Sequence, residues 1–374
     1  MKTDQPVFRL FGYAGTGKTT LAKHVATSGR TLFCAYTGKA AYVLQQKGCE
    51  AFTIHKLIYT PKEKSQLKLR ELMDKLENTE DKELRDSLEQ QIEVEQANLK
   101  APHFVLNQDS EVKRADLVVV DECSMVNQQM AEDLLSFGTK VLVLGDPAQL
   151  PPVYGTGWFI NAKPDFMLTE IHRQAKGNPI IDLATKIRRG DHLSPDGGML
   201  VPWGSVSPKE VMTYDQILVG TNATKRATNN KVRALRGCGS DLPVENDRVV
   251  CLRNNHEACL LNGSIWVVDQ CLDTEDKYID LVLKDPEGVE YVAVTAHKHH
   301  FLDRSGKSLP PWVRKEAEEF EFGFAMTVHK SQGSQWDSVI VFDESRVFNE
   351  QDRSKWLYTA VTRAAKKVKV VLGG

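Results

Sequence analysis

Gly12-Tyr13-Ala14-Gly15-Thr16-Gly17-Lys18-Thr19 is the stretch from which the rest of the chain is read. It follows an apolar run, Val7 to Phe11, and opens into Thr20-Leu21-Ala22-Lys23-His24-Val25, which continues as a helix. Strand, glycine-rich loop and helix in that order are the context that the Walker A pattern requires. The glycines let the backbone curl so that successive N–H groups point at one anion, with a helix N-terminus behind them. Gly12, Gly15, Thr16, Gly17, Lys18, Thr19 and Thr20 are therefore the candidate ATP-binding residues. Lys18 can reach the β- and γ-phosphates, and the Thr19 hydroxyl can ligate Mg²⁺.

The chain has 374 residues, enough for two to three cores, with 26% charged and 41% hydrophobic residues. Its formal net charge of -2 gives no global basic field, so a nucleic-acid footprint has to be confined to a cleft. No apolar run is long enough to span a membrane, and no signal peptide is expected. The seven cysteines form no C-x-x-C pair, which fits reduced thiols in a cytosolic compartment. His297-Lys298-His299-His300 reads as a hydrophilic loop end rather than a metal site, since no cysteine pair accompanies it.

Leu117-Val118-Val119-Val120 reads as a buried strand that ends in Asp121-Glu122. An aspartate there can hold Mg²⁺ together with Thr19, and the adjacent Glu122 can activate the attacking water. The next strand, Lys140 to Leu144, delivers Gly145-Asp146-Pro147-Ala148-Gln149-Leu150-Pro151-Pro152, where Gln149 is placed to sense the γ-phosphate. Arg173 and Arg363 lie far from the P-loop in sequence, as an arginine finger completed by domain closure must. These strands predict a mostly parallel sheet in an α/β domain.

Residues 62–100 differ in kind, being dense in Lys and Glu. Leu69, Leu72 and Leu76 share one helical face and Leu84, Leu88 and Ile92 another, after a break at Asn78-Thr79 where Asn78 and Asp81 resemble a cap. Two helices forming an exposed arm are expected, either as a solvated spacer or as a dock for a replication or repair protein. A second α/β region begins at Gln216 to Gly220 and resumes after Phe324 with strands at Ser338 to Phe342 and Val368 to Leu372. Between them, short strands at Val249 to Leu252, Ile265 to Val268, Tyr278 to Leu283 and Tyr291 to Val294 predict a small antiparallel barrel.

The series Gly12 to Thr19, Tyr36-Thr-Gly-Lys-Ala-Ala41, Phe52-Thr-Ile-His55, Asp121-Glu-Cys-Ser-Met125, Gly145 to Pro152, Thr327-Val-His-Lys-Ser-Gln-Gly333 and Tyr358-Thr-Ala-Val-Thr-Arg363 resembles the ordered motifs of superfamily 1 helicases. It is most similar to the RecD-like branch, which includes the small phage helicase Dda. The resemblance implies two RecA-like P-loop motor domains at 1–160 and 161–374. The first would carry a helical arm and possible pin at 60–112, and the second an SH3-like β subdomain at 246–318. It also implies an ATP-dependent, monomeric DNA helicase moving 5′ to 3′ on single-stranded DNA and opening duplex junctions. The setting would be the cytoplasm of a bacterial cell or a phage-infected host.

Carried over by position, Lys18, Thr19, Asp121, Glu122, Gln149, Arg173, Gly333 and Arg363 would serve ATP. Thr37, Thr53, His55, His329 and Lys330 would face the DNA, where such side chains suit a sequence-blind grip on phosphates. Trp266, Trp312 and Trp336 are candidate stacking platforms, with packing or surface roles favoured for each. Members of the branch carry a helix before the first strand with a glutamine that reads adenine, and Gln5 stands too close to the P-loop to replace it. Phe104-Val105-Leu106-Asn107 is the stretch that could retain pin residues. An RNA helicase, or an ATP-gated nucleic-acid-binding protein without processive unwinding, would use the same phosphate-directed motifs.

Overall fold

A computed structural model of the chain describes residues 5–26, 29–61, 72–76, 78–79, 84–85, 87–92, 104–151, 157–170, 177–255, 258, 260–273, 277–302, 309–310 and 313–373. Strands β1 (Val7–Gly12), β2 (Thr31–Ala35), β3 (Ala51–Thr53), β4 (Tyr59–Pro61), β5 (Phe104–Leu106), β6 (Leu117–Asp121), β7 (Val141–Gly145) and β8 (Phe166–Leu168) come first along the chain. Six of them form one sheet in the order β3-β2-β6-β7-β1-β8, and every pairing in it is parallel. Such a sheet must be covered on both faces, which is why Val118 to Val120 and Val141 to Leu144 are near-continuous apolar runs with almost no exposure.

Helices α1 (Lys18–Val25), α2 (Gly38–Gln46), α3 (Ile54–Ile58) and α4 (Gln128–Leu135) flank this sheet. Two apolar clusters cover it, one holding Leu32, Val120 and Phe159, the other Leu10, Phe33 and Leu144. Because β8 pairs with β1, the first sheet reaches Leu168 and the division expected at residue 160 falls inside it. Three residues are too short a strand to leave a periodic signal.

β4 and β5 pair antiparallel, Tyr59 with Leu106 and Pro61 with Phe104, so Phe104–Leu106 forms the stem of the insertion. The chain enters and leaves the arm side by side. Within the arm, 72–76 and 87–92 are helical, Leu72 and Leu88 are buried, and Leu84 is half exposed. The Asn78 side-chain amide donates to Asp74 O, in the first of these segments, at 2.7 Å. Leu69 and Asp81 lie outside the described residues.

The second lobe is a five-stranded sheet of β9 (Leu200–Pro202), β10 (Gln216–Val219), β16 (Ala325–Thr327), β17 (Trp336–Phe342) and β18 (Ala364–Leu372), all parallel in the order β16-β10-β17-β18-β9. It is flanked by α5 (Pro179–Arg189), α6 (Asn222–Leu235) and α7 (Glu350–Val361). α5 has complete end signals: Asn178 Oδ1 accepts from Ile180 N at 2.9 Å, Pro179 opens the first turn, and Gly190 closes the helix at φ 76°. Trp356, Tyr358 and Val370 lie in its core, which also takes in Leu150 from the first lobe at 2% exposure. The lobes therefore share apolar packing.

Between β10 and β16 stand β11 (Arg248–Cys251), β12 (Ile265–Asp273), β13 (Tyr278–Lys284), β14 (Tyr291–His297) and β15 (Phe320–Phe322), an antiparallel sheet in the order β14-β13-β12-β11-β15. These strands form one antiparallel sheet, and β14 meets the segment before β15 through the Ala296–Glu318 bridge, where His297 N donates to Glu318 O at 2.9 Å and Glu318 N to Thr295 O at 2.8 Å. The loop-end reading of His297 to His300 is also corrected: His297 is 1% exposed, and His300 Nε2 lies 3.0 Å from Glu319 Oε1. Among the described residues no group of three or more His, Cys, Asp or Glu side chains is placed to hold a metal ion.

Candidate nucleotide site and interlobe cleft

β1 hands the chain to the P-loop at Gly12, where a Cβ would stand 2.6 Å from Thr16 Oγ1 and 2.8 Å from Leu168 Cβ. Gly15 and Gly17 hold φ values of 77° and 76°, a left-handed backbone that glycine adopts without strain. Thr16 donates its hydroxyl to Tyr13 O at 2.7 Å, which tightens the curl. Lys18 Nζ donates to Gly12 O at 2.7 Å and Tyr13 O at 3.1 Å, lying back across the loop mouth. Thr20 follows in the first turn of α1, exposed.

The loop is tied to the end of β6 by Thr19 Oγ1, which donates to Asp121 Oδ2 at 3.2 Å. Burial, with the charge of Glu122, raises the Asp121 pKa to about 6 against the opposing pull of Lys18 and Thr19. Its other oxygen accepts from Glu122 N at 2.9 Å. Glu122 is held at φ 52°, ψ 45°, an unusual conformation for a non-glycine residue and one that re-aims its side chain. A hydroxyl and a carboxylate oxygen side by side, with a lysine beyond them, are the hard donors and counter-charge that a magnesium nucleotide needs. The residues fit that group.

The loop after β7 carries the contacts to the second lobe. Asp146 is 2% exposed and accepts from Ala148 N at 3.0 Å and from the Tyr358 hydroxyl at 2.7 Å. The Tyr358 oxygen in turn accepts from Ala14 N at 2.8 Å, so one side chain bridges the P-loop and the β7 loop. Leu150 N donates to Thr359 Oγ1 at 2.9 Å, and Leu150 O accepts from Gln332 Nε2 at 2.9 Å. Gln149 is 8% exposed beside these bonds, and its Oε1 has no partner among the described residues.

Other predicted residues are spread over both lobes. Gly333 packs on the α2 N-terminus, where a Cβ would meet Thr37 Oγ1 at 3.0 Å and Ala40 Cβ at 3.2 Å. The guanidinium of Arg363 bonds within its own lobe, to Thr359 O at 3.1 Å and Ser334 O at 3.2 Å. Thr37 and Thr53 are helix N-caps, accepting from Ala40 N and Lys56 N, each at 3.2 Å. His55 lies between the rings of Tyr36 and Tyr59. His329 faces Phe348, and burial lowers its pKa, keeping the imidazole neutral near pH 7.

Lys330 is drawn inward, 3.5 Å from Glu321, which Lys225 also holds at 2.6 Å. Trp266 packs in the small sheet at 5% exposure, while Lys39 Nζ stands 4.8 Å over Trp336 at the lobe boundary. Arg173 and Trp312 lie outside the described residues.

Tyr358, Thr359, Gln332, Asp146 and Arg188 were not singled out in the sequence. The first four sit inside recognised motifs, and that position was the available signal. Arg188 had none: its guanidinium lies 3.7 Å from the Tyr13 ring centroid, at the C-terminal end of a helix with no motif.

A P-loop at a strand end of one parallel-sheet lobe, bonded through its neighbouring loops to a second such lobe, defines a two-lobed P-loop ATPase. The chain belongs to the AAA domain family, whose match spans residues 1–196, and residues 322–371 match a UvrD-like helicase C-terminal domain. It is 27% identical to the ATP-dependent RecD2 DNA helicase of Deinococcus radiodurans over 95% of this chain and 45% of that protein. It is 28% identical to the RecBCD enzyme subunit RecD of Mycolicibacterium smegmatis over 97% of this chain and 67% of that protein. The chain thus spans a little under half the length of the first relative.

In fold it is similar to Bacteroides Pif1 bound to single-stranded DNA, with a TM-score of 0.56 and 18% identity over 99% of this chain and 89% of that one. Candida albicans Pif1 helicase gives a TM-score of 0.53 and 16% identity over 98% of this chain and 90% of that one. Among the described residues no helix is long and apolar enough to cross a membrane.

Proposed function

We propose that the chain is an ATP-driven motor that moves 5′ to 3′ on single-stranded DNA and opens duplex at junctions, serving DNA replication, repair or recombination. The observation that carries this reading is the set of bonds from Tyr358, Thr359 and Gln332 to the P-loop and the β7 loop. A change at the phosphates can reach the second lobe through them, as a translocating two-lobed motor requires. The direction, and the finer placement beside the phage helicase Dda, rest on the motif resemblance. Unwinding of 5′- and 3′-tailed duplexes tests the whole reading. Opening of 3′-tailed DNA alone would reverse the polarity, and stimulation by RNA but not DNA would change the substrate.

In this reading 1–168 and 169–374 are the two motor domains, the first carrying the arm and the second the small sheet. Lys18 and the loop N–H groups bind the phosphates, and Thr19 with Asp121 would hold Mg²⁺. The ion, when bound, would draw negative charge from the β- and γ-phosphates. Glu122 accepts the proton of the attacking water, Gln149 orients that water, and Arg363 with Arg173 adds positive charge from outside the P-loop. Thr37, Thr53, His55 and His329 line the DNA side, where the threonine caps leave the hydroxyl protons to donate to phosphate. Lys330 contributes through its shared pair with Glu321.

Because Asp121 is protonated below about pH 6, a metal ion arriving there must displace that proton. Affinity for Mg²⁺ with ADP is expected to be full above that pH and to fall about tenfold per unit below it. Calorimetric titration between pH 5 and 8 checks this, with Asp121→Asn removing the slope. Affinity that stays flat across the range would take Asp121 out of the metal site.

His329→Ala or Lys330→Ala is expected to weaken strand-stimulated turnover more than basal turnover, changing the salt slope by about one unit or less. Parallel loss of both rates would assign these residues to the nucleotide instead. For the arm, the adjacency of Tyr59 and Leu106 means that a short Gly/Ser linker in place of residues 64–98 closes a small gap. That variant is expected to keep its melting transition and its single-strand-stimulated ATP hydrolysis. Loss of stimulation with unchanged melting and ATP binding would make the arm part of the DNA track.

A further inference from the structure

The lobes enclose a cleft of about 270 Å³ lined by Tyr13 of the P-loop, Pro147 and Ala148 after β7, and Arg188, Lys355 and Tyr358 of the second lobe. Two of these side chains are cations, one from α5 and one from α7. Among the described residues, no carboxylate lies within ion-pair distance of either. Arg188 rests on the face of Tyr13, 3.7 Å from the ring centroid, across the lobe boundary. Two half-buried cations sharing a cleft repel each other, and an anion between them would remove that cost.

The place of the cleft identifies the anion. It opens on Tyr13 and Tyr358, and the Tyr358 hydroxyl is bonded to Ala14 N–H, one of the loop amides that a P-loop directs at phosphate. That N–H is now satisfied by the Tyr358 hydroxyl at 2.8 Å, an uncharged oxygen where a phosphate oxygen could stand. Burial and the neighbouring Asp146 raise the pKa of Tyr358, so it stays a neutral phenol and does not itself supply the negative charge. Arg363 does not meet this need as placed, because its guanidinium is bonded to carbonyl oxygens within its own lobe.

We propose that Arg188, with Lys355 beside it, is a second-lobe phosphate site for the terminal phosphate of a nucleoside triphosphate, and that the stack on Tyr13 holds Arg188 ready at the P-loop mouth. The proposal rests on the reading of the P-loop as the ATP site and adds how the second lobe tells a triphosphate from a diphosphate. ADP ends one phosphate short of the cations, so it leaves the stack in place. A triphosphate reaches them, exchanges the Tyr13 face for charge-assisted hydrogen bonds, and draws the lobes together.

The test measures binding of a non-hydrolysable ATP analogue and of ADP to the full chain and its variants, with kcat and KM for ATP. Arg188→Ala is expected to lower affinity for the ATP analogue about tenfold, a loss of one charge-assisted contact, while leaving ADP affinity unchanged. Arg188→Lys should fall between, since it keeps the charge and loses the planar fork. Lys355→Ala should show the same triphosphate-selective loss, smaller in size. Equal loss for ATP and ADP would overturn the proposal, because Arg188 would then only brace Tyr13, and so would affinities unchanged for both. Should Arg188→Ala lower the melting temperature, Arg188→Lys and Lys355→Ala decide by the same criterion. A wild-type chain that binds neither nucleotide, indistinguishable from Lys18→Ala, would overturn the P-loop reading and this one with it.

Discussion

Replacing Lys18 by alanine is expected to reduce ATP turnover by about 10³-fold, the scale on which removal of a preorganised electrostatic donor acts. The lysine sits at the loop mouth with Nζ on the carbonyls of Gly12 and Tyr13, so its charge is held beside the phosphates before they arrive. Alanine removes the charge and hands those carbonyls to water at a half-buried site, which spares the fold. The glycines keep their left-handed conformations, so the loop retains its shape. Steady-state hydrolysis with and without single strands, beside a thermal melt, checks this. Turnover within tenfold of wild type at an unchanged melting temperature would mean that Arg188 or Arg363 carries the charge assigned to Lys18.

Glu122→Gln is expected to slow hydrolysis by about 10²- to 10⁴-fold, the range for loss of a general base, with nucleotide affinity nearly unchanged. The substitution keeps the shape and leaves the backbone bond from residue 122 to Asp121 Oδ1 intact, so the Asp121 carboxylate stays in place. Glu122 holds φ 52°, and strain at that position has to be separated from chemistry. Glu122→Gly supplies the separation. It relieves about 1 kcal/mol of backbone strain and so should raise the melting temperature, yet it should lose turnover as Glu122→Gln does. A Gln variant that no longer binds ATP would show that Glu122 supports the site rather than the reaction.

Both of these residues lie in stretches whose roles are legible in the amino-acid sequence alone. The P-loop, the strand ending in Asp121-Glu122 and the parallel strands around them are encoded in apolar runs and in glycines at positions that need left-handed backbone. Such signals are local, and the first sheet follows them closely. The small antiparallel strands were legible for the same reason, since alternation and turn residues mark them one by one. Whether those strands close into a barrel depends on how their edges meet, and alternation says nothing about that. The division at residue 160 missed because β8 is three residues long.

The sequence by itself determined the nucleotide loop, its acidic partners and two parallel-sheet lobes, because each is built from neighbours along the chain or from buried runs that admit one reading. Only the tertiary structure decided which second-lobe groups meet that loop. Tyr358 bonds Ala14 from 344 positions away and Asp146 from 212, and Thr359 holds Leu150 from 209. It likewise turned Lys330 onto Glu321 and set Gly333 against Thr37. The physical reason is that these contacts follow from how one packed lobe seats on another, with Leu150 buried in the second core. That seating depends on the sum of two surfaces and leaves no periodicity in either segment.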